Sequence, residues 1–321
     1  GDSSVTGNIT VTATFAIDTY TLTYSAGANG SISGTSPQTV DHGSDGSAVT
    51  AVANSGYHFV NWSDASTANP RTDTSITKDT SVTANFELNR MKLAVKVLLQ
   101  GPYNTGTGLM NTSLYSSGHL ASHFVGATIP DNAVDSIKIE IRDSLTSGIS
   151  VITKSVPAWL MADGSIRDFT DTTKGYVTVD TTAGNFYVVI RHRNHLAIMS
   201  ASPVAIGADS TYYNFTTAQT QAYNAAALPM KDMTGSGPFA MWAGDVNGNG
   251  TIKYNGGQND RSLIFTLLGG TDITATLNGY YKEDVNLNGI VKYNGGQNDR
   301  SIIFTNLGGS DITATKSTTV P

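Results

Sequence analysis

Residues 245–276 recur as residues 284–315 at an offset of 39, and 26 of the 32 positions are identical. Identity this close means two copies of one structural unit. A second, weaker repeat lies at the other end. Residues 2–15 (DSSVTGNITVTATF) align with residues 73–86 (DTSITKDTSVTANF) at an offset of 71, seven of fourteen positions being identical. The chain therefore reads as the end of one unit over 1–16 and a whole unit over 17–88, and the expectation is a C-terminal part of a longer precursor.

Each C-terminal copy opens with the pattern DxNxNG. The first copy carries Asp245, Asn247, Asn249 and Gly250, and the second carries Asp284, Asn286, Asn288 and Gly289. Oxygen side chains at positions 1, 3 and 5 with Gly at 6 are those of an EF-hand-type calcium loop, where Gly permits the sharp turn. Position 7, Thr251 or Ile290, would offer its main-chain carbonyl, and the apolar Ile252 or Val291 at position 8 would anchor the loop to a core. The pattern then departs from that loop, because position 12 is Gly256 or Gly295 and not a carboxylate. The next acids are Asp260 and Asp299, fifteen residues after the first, beyond the run KYNGGQND. The expectation is two calcium sites, with Asp260 and Asp299 returning to the ion at the start of short helices (RSLIFTLLGG, RSIIFTNLGG) that Gly pairs terminate. The alternative is a polar turn in which Asp260 and Asp299 merely cap the helices. With two carboxylates per site and Lys253 and Lys292 nearby, affinity should fall at about 10⁻⁶ to 10⁻³ M.

Elsewhere the period is two. Tyr20, Leu22 and Tyr24 alternate with Thr, as do Val82, Ala84 and Phe86; Leu93, Val95, Val97 and Leu99, then Ile137, Ile139 and Ile141, then Phe186, Val188 and Ile190 do the same. Turn clusters separate these runs, which is the signature of half-buried strands in a mainly β chain. With 43 Thr and 33 Gly among 321 residues the composition agrees.

The runs YTLTYSAGANGSISG, SGYHFVNWSD and SVTANF resemble the internalin-type B-repeat of bacterial surface proteins, which implies a β-grasp-like module over 17–88 used as a stalk outside the cell. Residues 89–222 read as an immunoglobulin-like β-sandwich, and residues 223–239 as a linker with helical tendency. Residues 240–321 resemble dockerin-like modules, paired calcium-loop-helix repeats of extracellular bacterial complexes, with NGGQND marking a variant. Together with RHRNHLAIMSA and ITATKSTTVP, this end is similar to the C-terminal region of large secreted proteins of Bacteroidota-like bacteria.

Composition excludes several functions. The chain has 19 basic and 25 acidic residues with no Lys/Arg cluster, so a nucleic-acid partner is not expected. No run of apolar residues is long enough to span a membrane. Without Cys there is neither a disulfide nor a thiolate site. Asp outnumbers Glu by 22 to 3, a skew toward turns and hard-cation ligands. HExxH and GxSxG are absent, and catalysis is not expected. His192 and His195, with His119 and His123, suggest a metal site on paper, but residues three apart in a strand face opposite ways and would not converge without a turn, and a hydrogen-bonded structural pair fits better. Trp62, Trp159 and Trp242 offer stacking for glycans, although aromatics interleaved in strands usually belong to cores.

The functional expectation is a non-catalytic, extracellular or cell-surface structural region stabilised by two calcium ions. Its partner would be a second copy of itself, in a filament or surface layer, or another cell-surface protein. A first strand at residues 3–15 would suit completion of a neighbour's sheet. The other readings are a dockerin-type anchor for a cohesin-like partner and the tail of an upstream secreted enzyme.

Overall fold

A computed structural model describes residues 7–8, 10–146 and 149–321. The expected strand over residues 3–15 falls partly outside these, and the described residues from 10 to 18 form no strand. The fold is mainly β, with several sheets and few helices, and it divides into two compact units at Asn89/Arg90.

In the N-terminal unit a four-stranded sheet is ordered Gln38–Asp41, Thr19–Ala26, Thr80–Leu88, Tyr57–Trp62. Its first and last strands in sequence lie side by side and parallel, Leu22 opposite Thr80 and Tyr24 opposite Val82. The alternation seen in the sequence sends Leu22, Tyr24, Val82 and Ala84 inward, where they meet Val49, Ala51, Trp62 and Ile76. The connection between the two parallel strands contains strands and turns, including the pair Gly30–Ser33 and Thr50–Ala53, and no helix. A β-grasp-like module would place a helix there.

The larger unit is built on two sheets. One is ordered Ile166–Asp168, Ile149–Met161, Ala133–Thr146, Gly184–His192, His195–Met199, with Val204–Ile206 also pairing Gly184–His192. The other places Met91–Lys96 between Val177–Val179 and Thr211–Asn214, the last pairing being parallel. Leu93 and Val95 of one sheet and Ile137, Ile139, Ile141, Val188 and Ile190 of the other share one buried cluster, as the period-two pattern requires. The aromatic residues considered for glycan stacking are core: Trp62 and Trp159 are fully buried and Trp242 nearly so.

The expected divisions at 222 and 239 do not separate compact units, because residues 90–321 pack as one. Segment 223–239 contains the strand Met230–Asp232, which pairs antiparallel with Phe239–Met241 at the segment's end, and Met230 is buried in the core that the two sheets share. The helical tendency before it yields only three short 3-10 turns, Phe215–Thr217, Gln219–Gln221 and Ala225–Ala227. Asn224 and Leu228 take left-handed conformations that stop propagation.

Candidate functional site

The two C-terminal copies form one small module with a reciprocal plan. Each copy runs loop, short strand, helix, short strand. Thr251–Lys253 of the first copy pairs Thr315–Ser317 of the second, and Ile290–Lys292 of the second pairs Thr276–Asn278 of the first. The side chains follow the same exchange, Tyr254 packing on Phe304 at 5.0 Å and Tyr293 on Phe265 at 4.9 Å. Val246, Ile252 and Ile264 meet their counterparts Val285, Val291 and Ile303 in a shared core. Ile252 and Val291, at position 8 of each loop, are fully buried.

Within each loop the oxygen side chains fold the backbone. In the first, Asn247 Oδ1 accepts from Asn249 N–H (2.9 Å), Asn249 Oδ1 from Thr251 N–H (2.8 Å), and Asp245 Oδ2 from Gly250 N–H (3.0 Å). In the second, Asn286 Oδ1 accepts from Asn288 N–H (2.9 Å), Asn288 Oδ1 from Ile290 N–H (2.8 Å), and Asp284 Oδ2 from Gly289 N–H (2.8 Å). Gly250 and Gly289 have φ of 82° and 85°, the left-handed region that only glycine enters freely.

Asp260 and Asp299 do return to their loops. Asp260 accepts from Asn247 N–H (3.1 Å) and Lys253 N–H (2.8 Å). Asp299 accepts from Val285 N–H (2.7 Å), Asn286 N–H (3.3 Å) and Lys292 N–H (2.8 Å). They are the first residues of the helices Asp260–Leu267 and Asp299–Asn306, but they do not cap them. That role belongs to Asn259 and Asn298, whose Oδ1 atoms accept from Ser262 and Ser301 N–H at 2.9 Å. The Gly pairs end both helices, with Gly270 N–H on Phe265 C=O and Gly309 N–H on Phe304 C=O.

The electrostatics of the four carboxylates are unusual. Asp260, Asp284 and Asp299 are fully buried and Asp245 is 5 % exposed, yet among the described residues none has a basic side chain within ion-pair distance. Lys253 and Lys292 turn instead to the carbonyls of Gly257 and Gly296. Burial raises Asp245, and pushes Asp260 up to about 6, with the negative charge of Asp245 adding to it. Burial likewise pushes Asp284 up to about 6, against the opposing charge of Arg193, and burial together with Asp284 pushes Asp299 up to about 7. Asp245 Oδ1 is buried with no hydrogen-bond partner. Isolated buried carboxylates are costly unless neutralised by a proton or a cation.

The residues present fit a hard cation. Each loop brings two carboxylates, two Asn side chains and the residue, Thr251 or Ile290, expected to give a main-chain carbonyl to one turn. Among the described residues no three His, Cys, Asp or Glu side chains form a metal cluster, so the remaining ligand oxygens would come from amide and main-chain groups, as calcium accepts.

The histidines form a hydrogen-bonded pair, and a turn brings them together. His192 and His195 end adjacent strands and face each other across a two-residue hairpin, Nδ1 to Nδ1 2.9 Å. His123 stacks on Tyr280, with ring centroids 4.0 Å apart. Asp135, buried in the sheet, receives His192 Nε2 (3.0 Å), Arg193 Nε (2.8 Å) and the Tyr280 hydroxyl (2.7 Å). Glu140, also buried, is held by Lys138, Arg142 and Arg191 at 2.8–3.0 Å. Both acids serve as structural ion-pair centres.

Residues 20–90, about a fifth of the chain, match the family model described as a divergent InlB B-repeat domain. Such domains are typical of extracellular or cell-surface proteins. No curated protein and no solved structure matches the chain significantly. Among the described residues no helix is long and apolar enough to cross a membrane. The chain thus joins a region similar to the B-repeat to a larger β unit that ends in two equivalent acidic loops.

Proposed function

We propose that the loops over 245–260 and 284–299 each bind one calcium ion, and that the chain is a non-catalytic, extracellular structural or adhesive region of a larger surface protein. The observation that carries the calcium reading is a set of four buried carboxylates in two equivalent loops, unpaired with any cation among the described residues, with Asp245 Oδ1 lacking a partner. Asp245, Asn247, Asn249, Thr251 and Asp260 would hold the first ion, and Asp284, Asn286, Asn288, Ile290 and Asp299 the second. Bound calcium supplies the positive charge these carboxylates lack. At about a hundredfold excess over Kd each ion adds about 2.7 kcal/mol to stability, so the module is firm where calcium is plentiful and loose where it is scarce.

The match of residues 20–90 supports a surface location and a stalk-like role. Self-association into a filament or surface layer remains part of this reading. The dockerin-like alternative needs a free module. It is disfavoured because Asn306 of the second helix exchanges hydrogen bonds with Gln100 of the sandwich, at 2.7 and 2.8 Å. Limited proteolysis tests the proposal. EDTA should expose residues 240–315 to cleavage and calcium should restore protection, whereas equal resistance in both would count against the sites.

A further inference from the structure

One residue of the sandwich touches both loops at position 1. Asn194, in the hairpin between His192 and His195, is fully buried. Its main-chain carbonyl accepts from Gly244 N–H (2.9 Å) and Asp245 N–H (3.1 Å), where the first loop begins. Its side-chain amide donates to the carbonyls of Lys282 (2.8 Å) and Asp284 (2.7 Å), where the second begins. The backbone thus holds one loop and the side chain holds the other.

The orientation of that amide is fixed by its neighbours. Gly101 N–H donates to His195 Nε2 at 3.2 Å, so Nε2 carries no proton and the ring proton lies on Nδ1. From there it faces Asn194 Oδ1 at 2.8 Å and His192 Nδ1 at 2.9 Å. His192 in turn donates from Nε2 to Asp135 at 3.0 Å. The amide oxygen of Asn194 is therefore occupied by His195, and its NH₂ is left to the two carbonyls of the second loop. Arg193 reinforces the same junction by bonding Tyr281 C=O and lying 4.1 Å over the Tyr280 ring.

The geometry points to Asn194 as a positioning residue that couples the two calcium loops to each other and to the sandwich. This rests on the calcium reading above. Ordering either loop around an ion sets the position of Asn194, and that position presents the other loop's first carboxylate in place. The two ions then bind with positive cooperativity, and only the second depends on the side chain.

The division between backbone and side chain makes the test asymmetric. Asn194→Ala keeps the carbonyl that holds Asp245 and removes the amide that holds Asp284. Calcium titrations by calorimetry on the full chain would compare wild type, Asn194→Ala, and single-site variants Asp260→Asn and Asp299→Asn. Where only the second site is left (Asp260→Asn), adding Asn194→Ala should weaken binding at least about tenfold, the scale on which groups that orient a ligand act. Where only the first site is left (Asp299→Asn), the same change should alter affinity less than about threefold. General destabilisation would weaken both alike and overturns the inference, as do two unchanged affinities. The single-site variants with Asn194 intact test the coupling independently, since each should bind its remaining ion more weakly than wild type; equal affinity would overturn the coupling. Wild type that binds no calcium overturns the calcium reading itself, a result distinct from two uncoupled ions.

Discussion

Asp299 gives the sharpest test of the electrostatics, because its removal should help the protein in one condition and harm it in the other. In the calcium-free fold its pKa rises from 3.8 to about 7 through burial and the neighbouring Asp284. The folded state therefore holds this proton to higher pH than the unfolded chain. The contribution of Asp299 to stability without calcium is greatest below about pH 4, falls as pH climbs toward 7, and levels off above. At about 1.4 kcal/mol per pH unit, the ionised carboxylate costs the calcium-free fold about 4 kcal/mol at pH 8. Asn at this position has no charge to bury. Its oxygen can still accept from Val285 and Asn286, but its NH₂ faces the Lys292 N–H, two donors together, at about 1 to 3 kcal/mol. The charge effect wins. In EDTA at pH 8, Asp299→Asn should be more stable than wild type by about 1 to 3 kcal/mol, which for a unit of this size raises Tm by roughly 2 to 10 °C. In saturating calcium the order reverses, because one site is lost. Scanning calorimetry in both buffers at pH 5 and 8 reads all four values. A variant that is destabilised equally with and without calcium, or a calcium-free wild type indifferent to pH, would refute the reasoning.

Trp62 is fully buried against Tyr24 and Phe59, with its Nε1 donating to Ala68 C=O, so Trp62→Ala should cost about 3 to 5 kcal/mol; hydrogen exchange should rise across 19–88. Gly101 sits where a Cβ would collide with the Val285 carbonyl. Gly101→Ala should cost about 1 to 3 kcal/mol and speed exchange at residues 282–288 while strand Ala133–Thr146 stays protected. In the N-terminal unit, burial acts to raise Asp73, but the Arg71 guanidinium and the Tyr24 hydroxyl overcome it and hold the acid below its usual value. Its stabilising contribution is present above about pH 4 and lost as pH falls through the lowered value. Acid titration followed by Trp fluorescence should show a loss that Asp73→Asn removes.

Much of this molecule was legible in its residues because two periodicities dominate it. Alternation placed Leu22, Tyr24, Leu93, Val95 and Ile137 to Ile141 on buried faces, and the 39-residue offset exposed two equivalent loops and their helices. The Asn-rich spacing also anticipated the return of Asp260 and Asp299, since both follow the loop by a fixed distance and open a helix. What escaped was a turn without a sequence signature and the contacts distant in sequence that it makes. His192 and His195 converge because Arg193-Asn194 forms a tight hairpin, without the Asn-Gly or Asp-Gly signature of such turns. Asn194 therefore looked like an ordinary polar residue, although it is the group that meets both loops. The segment 223–239 reads as a linker from its Ala and Gly content, yet Met230 is a core residue. Only the partner strand and the opposite sheet supply that information.

The central claim is that two loops of one chain each hold a calcium ion. Equilibrium dialysis of the full chain against a series of calcium concentrations reaching about 10 mM, roughly tenfold above the weak end of the expected affinity range, followed by elemental analysis, tests it directly. The account predicts binding that saturates at two ions per chain, falls to one in Asp260→Asn or Asp299→Asn, and vanishes in the double variant. A wild-type chain that retains no calcium above the buffer level would contradict it.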